Sequence, residues 1–153
     1  MLLSAIALSP TLSSAQQKSP ADTLIRPVVL FQDISRSRVN AIRGIVVEQA
    51  EFQRVWDEAH AAVVSPRPML PVVDFTKEMV VVAGLGYQGG LTGSISIIDI
   101  RDNDNVLRIR FRVRLLGANC ESYAAVTYPT VIVKIPKTRS TPVFSDSLTV
   151  QRC

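Results

Sequence analysis

Histidine is all but missing from this chain: His60 stands alone among 153 residues. Nucleophilic catalysis by a Ser-His or Cys-His pair has no other base to draw on. His60 reads as a partly exposed residue near the end of a helix, off its apolar stripe, rather than as a catalytic base. Cysteine is scarce too, with Cys120 and Cys153 well separated, and no spacing resembles a zinc site. Asp102 and Asp104 sit in a turn, but the ligand pattern and closing Glu of a calcium loop are absent. No two carboxylates stand out as an acid/base couple. The expectation is therefore no catalytic residue, no metal and no cofactor. Aromatics are 6% of the chain, too few for the stacking platforms that hold single-stranded nucleic acid, so no nucleic-acid partner is expected. No stretch is long enough to span a bilayer as a helix.

What is present is enough to fold. Hydrophobic residues make up 47% of the chain and charged residues 20%, a globular balance. The formal net charge is +4, and thirteen of the seventeen basic residues are arginine. That favours acidic partners without naming one.

Residues 1–15 read as a secretory signal peptide. Leu2 to Leu8 is apolar, Pro10 breaks the run, and Ser13-Ser14-Ala15 supplies small residues before a cut at Gln16. No cysteine follows the run, so a lipid anchor of the lipoprotein kind is not expected. Export makes the even cysteine count meaningful: one disulfide, Cys120 to Cys153, closing a loop of about 33 residues. The expected location is secreted, periplasmic or cell-surface.

Residues 16–38 read as an arm or linker with Pro20 and Pro27, in which Val28-Val29-Leu30-Phe31 can add a short edge strand. The domain proper is 39–153. Val39 to Val47 ends in a β-branched run and reads as a strand. Phe52, Val55, Trp56, Ala59 and Val63 then recur at helical spacing, which predicts one amphipathic helix over about 50–62. Pro66, Pro68 and Pro71 end it. Met79 to Ala83 is a continuous apolar run, the mark of a central strand. Ser94 to Arg101, the turn Asp102-Asn103-Asp104-Asn105 and Val106 to Leu116 form a hairpin. In its second arm Leu107, Ile109, Phe111, Val113 and Leu115 alternate with Arg108, Arg110, Arg112 and Arg114. Period 2 places the arginines on one face, a candidate anion-binding face. Val126 to Ile135 is a strand with Pro129 inside it, which argues for an edge position or a bulge. Short closing strands are expected at 142–144 and 148–150. The fold class is α+β: a mostly antiparallel sheet, open or curled toward a barrel or sandwich, with one helix packed on it.

Gly84-x-Gly86-x-x-Gly89 follows an apolar strand in the manner of a dinucleotide fingerprint, with Asp102 and Asp104 downstream. The fingerprint needs a helix next, and a β sequence follows instead, so the reading is a positive-φ loop between strands. Loops carry recognition on rigid sheets, which makes Gly86, Tyr87, Gln88, Gly89, Gly90 and Leu91 a candidate protein-binding loop.

The order of elements resembles the PrcB C-terminal domain family over about residues 39–153. The resemblance rests on Phe52-x-x-x-Trp56, on Val72-Val73-Asp74-Phe75-Thr76-Lys77, and on the apolar strand with its Gly-Gly loop and hairpin. The Cys, Tyr128-Pro129 and Val131-Ile132-Val133-Lys134-Ile135-Pro136 complete it. Family members tend to carry an aromatic after the Gly-Gly pair. Here Leu91 follows Gly90, and Tyr87 precedes the pair. The resemblance implies a non-enzymatic extracytoplasmic domain that assembles with another protein, namely a secreted protease. The glycine loop is also loosely similar to the loops with which small β-rich inhibitors plug proteases. Two further readings therefore stand beside assembly: a protease inhibitor, and a binder of anionic cell-surface polymer through the arginine face.

Overall fold

Two kinds of apolar pattern build two different layers. The computed structural model describes residues 22–34, 36–63, 65–89, 93–117, 119–120 and 125–153. The expected signal peptide, 1–15, lies outside them. Along the described chain run β1 (Thr23–Ile25), β2 (Val28–Asp33), β3 (Ala41–Val46), α1 (Gln49–Ala59), β4 (Glu78–Leu85) and β5 (Gln88–Gly89). They are followed by β6 (Gly93–Asn103), β7 (Val106–Leu116), β8 (Val126–Thr127), β9 (Thr130–Pro136) and β10 (Thr141–Gln151). One sheet has the order β1-β6-β7-β10 and the other β2-β9-β4-β3, while β5 and β8 form a two-stranded ribbon. Every pairing is antiparallel except β10 on β7. The fold is α+β, and of the curled forms it takes the sandwich.

The strict alternation of β7 fixes the inner layer. Leu107, Ile109, Phe111 and Val113 point to the second sheet, where Met79, Val81 and Ala83 of β4 and Val131, Val133 and Ile135 of β9 meet them. Full burial of each such side chain contributes roughly 1.5–3 kcal/mol. From Met79 to Ala83 β4 is apolar on both faces because both are covered, and Ile132 of β9 joins its outer face. Val80, Val82 and Ile132 face away from the sandwich and receive Phe52, Val55, Trp56 and Ala59 of α1. The molecule therefore has three layers: helix, sheet, sheet. Trp56 Nε1 donates to Pro68 O at 3.2 Å, which ties the proline-rich connection over the helix.

The hairpin between β6 and β7 turns on Asp104 and Asn105, with φ of 50° and 63°. Two consecutive positive φ values are the mark of a type I′ turn, whose twist suits the strands it joins.

Several expectations change. The stretch read as an arm or linker supplies β1 and β2 from residue 23 onward; β1 pairs with β6 and β2 with β9. Pro129 does not lie at a sheet edge: it falls in the break between β8 and β9, and β9 runs between β2 and β4. Since Pro129 precedes the strand, its missing N–H interrupts no ladder, and its carbonyl accepts from Leu85 N at 2.9 Å. The two short closing strands are one strand of 11 residues, β10. His60 is buried at 5% exposure, because it lies four residues after Trp56 and so on the apolar stripe, not off it.

Candidate binding surfaces

The glycine loop leaves β4 at Gly86, whose φ is +71°. A Cβ there would stand 2.8 Å from Ala41 N, so both the backbone twist and the close approach of β3 call for glycine. No helix follows: Gly93 opens β6 in pair with Leu115. A strand presents no helix N-terminus to a pyrophosphate, so among the described residues the helix that the dinucleotide fingerprint requires is absent.

Tyr87, the residue after Gly86, is 63% exposed. Its ring meets the Tyr128 ring edge-on, with centroids 6.0 Å apart, and the Arg38 guanidinium lies 5.1 Å from the Tyr128 centroid. Gln88 Nε2 donates to Leu85 O at 3.2 Å, and β5 pairs with β8. Tyr128 N donates to Ile34 O at 2.8 Å. The described start of the loop is thus braced by β8 and Tyr128 and carries an exposed aromatic. Gly90 and Leu91 lie outside the described residues. Sequence reasoning missed Tyr128 and Arg38 as supports, since nothing local links residues 38, 87 and 128.

The four arginines line the outer face of β7 as expected, but they are not equivalent. Arg110 is bound through two nitrogens by Asp99 of β6, with Nε to Oδ1 at 2.9 Å. Arg101 reaches the same carboxylate at 3.8 Å and pairs with Asp22 at 2.6 Å. Arg108 stands opposite Arg101 in register. Arg112 and Arg114 stand between Ser96 and Ser94 of β6 on one side and Ser147 and Thr149 of β10 on the other. Neither has a carboxylate partner among the described residues. Because Ser94 opposes Arg114 one residue inside Gly93, this open end of the row shares one pole of the sandwich with the glycine loop.

The Arg110 guanidinium, followed by Arg101, holds the Asp99 carboxyl below its ordinary value near 3.8. A depressed folded pKa means that the pair stabilises the fold above the unfolded value and that this is lost as pH falls through the folded value. Asp99→Asn should therefore be less stable than the parent at neutral pH and lose less on acidification below about pH 4. Urea midpoints followed across that range test this, and parallel curves for the two proteins would reject it.

Cys120 and Cys153 are joined in a disulfide with Cα atoms 5.1 Å apart. His60 packs among Phe31 and Trp56 with its Nδ1 2.8 Å from Trp56 O. Among the described residues no group of three or more His, Cys, Asp or Glu side chains is placed to hold a metal, and no helix is long and apolar enough to cross a membrane. The fold and its surfaces define a helix-backed β-sandwich with an exposed, braced tyrosine and an open arginine pair at one pole. Comparison with protein-family models, curated proteins and solved structures finds no match for this chain.

Proposed function

We propose that the protein is a non-enzymatic extracytoplasmic binding or assembly domain that contacts another protein through the pole bearing Tyr87. The observation that carries this reading is an exposed tyrosine held in place by Tyr128 and Arg38. Rigid aromatic anchors of this kind dominate binding energy at protein interfaces and lose little conformational entropy on docking. Export is supported by the Cys120–Cys153 bridge, a bond that persists in oxidising compartments. The resemblance to the PrcB C-terminal domain family favours a secreted protease as the partner.

The test is affinity capture from the extracytoplasmic fraction with the parent and with Tyr87→Ala. Capture of one protein in stoichiometric amount, reduced about tenfold or more by Tyr87→Ala at unchanged melting temperature, is the expected result. Equal capture by both removes the loop's role. An activity assay on a captured protease then separates assembly, which leaves or raises turnover, from inhibition, which abolishes it.

A further inference from the structure

β10 is the last strand of its sheet, and its outer edge pairs with no strand among the described residues. An edge of 11 residues presents a row of backbone N–H and C=O groups that a further strand can join. Proteins usually guard such edges with lysines, prolines, bulges, inward-pointing charges or short length. β10 has no lysine, a single proline at its start, Pro142, and unbroken register with β7 from Thr141 to Gln151. Its one charge, Asp146, points inward, and Arg43 of the opposite sheet neutralises it through two hydrogen bonds of 3.1 and 2.8 Å.

The two faces of β10 differ in chemistry. Phe144 packs into the sandwich, so alternation puts Leu148 and Val150 on the same inward side, yet they are 60% and 51% exposed. On the outward side Ser147 and Thr149 register with Arg112 and Arg114. These short neutral side chains leave both guanidinium groups open toward the free edge.

We propose that the free edge of β10 takes up an extended segment of a partner protein in which acidic and apolar residues alternate. A strand added there lies about 4.8 Å from β10 and about 9.6 Å from β7. A glutamate on its outer face and an arginine on β7 span that distance across Ser147 or Thr149. Its apolar residues, on the other face, cover Leu148 and Val150. Backbone pairing supplies affinity and the alternating side chains supply selection, as in other cases of strand addition. This edge adjoins the pole that bears Tyr87 but uses other residues, and its test does not depend on Tyr87.

The probe is the peptide acetyl-Val-Glu-Val-Glu-Val-Glu-Val-Glu-Val-amide, titrated into the full chain by calorimetry. Two controls accompany it: the same peptide with every backbone nitrogen methylated, and polyglutamate. The expected result is saturable one-to-one binding, weakened about tenfold or more by high salt and by Arg112→Gln with Arg114→Gln, and lost with the methylated peptide. The salt series on the parent protein carries the charge argument even if the double variant fails to fold. Equal binding of polyglutamate or of the methylated peptide would mean anion attraction without strand addition, and overturns the proposal. So does absence of binding, whether the edge stays empty, is covered by the chain's own first residues, or is filled by a second copy.

Discussion

Truncating Phe111 to alanine is expected to cost the domain about 3–5 kcal/mol. Phe111 is fully buried at the centre of β7, between the two sheets. Removing its ring leaves a cavity lined by both sheets, and close-packed sheets relax only partly into such a space. Two further contacts go with it. The Phe144 ring of β10 lies 6.3 Å from it, and the Arg43 guanidinium stands 5.1 Å over its face. Arg43 is also the group that joins β3 to Asp146 of β10 across the sandwich, so the lost ring loosens the bridge between two sheet edges. Urea unfolding measured by circular dichroism reads the effect directly. A loss under about 1 kcal/mol would mean that the sheets are not packed on one another at this position. Phe111→Leu should restore more than half of the loss, because it refills most of the volume without the ring contacts.

Phe111 also shows why this strand was readable in advance. In β7 from Leu107 to Leu115 apolar residues alternate strictly with arginines, so one sequence pattern states the strand, its inner face and its outer face together. The stripe Phe52, Val55, Trp56, Ala59 did the same for the helix. What was not readable depends on partners distant in sequence. Thr141–Gln151 alternates weakly, with Ser145, Asp146 and Ser147 at its middle, and only its parallel pairing with β7 makes it one strand. Val28–Phe31 hinted at a strand, but Thr23–Ile25 is held by β6 some 77 residues away and carries no local signal of its own. Pro129 was informative about the ladder and misleading about the edge, because a proline just before a strand and a proline within an edge strand look alike in sequence. His60 was misplaced by one step of helical phase: four residues after Trp56 is the buried face. As for the binding surfaces, composition marked the glycine loop and the arginine row. Their meeting at one pole, and the contrast between Arg110 held by Asp99 and the open pair Arg112 and Arg114, follow only from the register of β6, β7 and β10.

That register makes β7 the organising strand. Its inner side chains close the sandwich, its outer ones set the charge of the exposed face, and its parallel neighbour β10 is an edge that pairs with no further strand among the described residues. Whatever docks on that edge meets side chains whose positions are fixed by the same residues that fix the core, so recognition here is preorganised by packing.

Removing the disulfide should have the second large effect. Cys120 and Cys153 are 33 residues apart, a loop whose closure entropy corresponds to about 3–4 kcal/mol of stabilisation through the unfolded chain. The bridge closes the far end of the β7–β10 pair, where Gln151 registers with Leu116 and its carbonyl accepts from Gly117 N at 2.9 Å. Asn119 Nδ2 donates to Cys153 O at 2.8 Å just beyond it. Converting both cysteines to alanine is expected to lower the melting temperature by roughly 10 °C, the equivalent of that free energy for a chain of this size. Two readouts separate a global from a local role. Reductant should lower the melting temperature of the parent to about that of the double variant and leave the variant unchanged. Hydrogen exchange should show the greatest loss of protection in 145–151 of β10, which packs little apolar surface inward, while β4 and β9 keep theirs up to the global limit. If the double variant melts with the parent, the unfolded chain is not constrained by the bridge. If instead β4 and β9 open together with β10, the C-terminal strand belongs to the cooperative core, and an edge that opens only with the whole sandwich is a rigid template for an incoming strand rather than a pliable one.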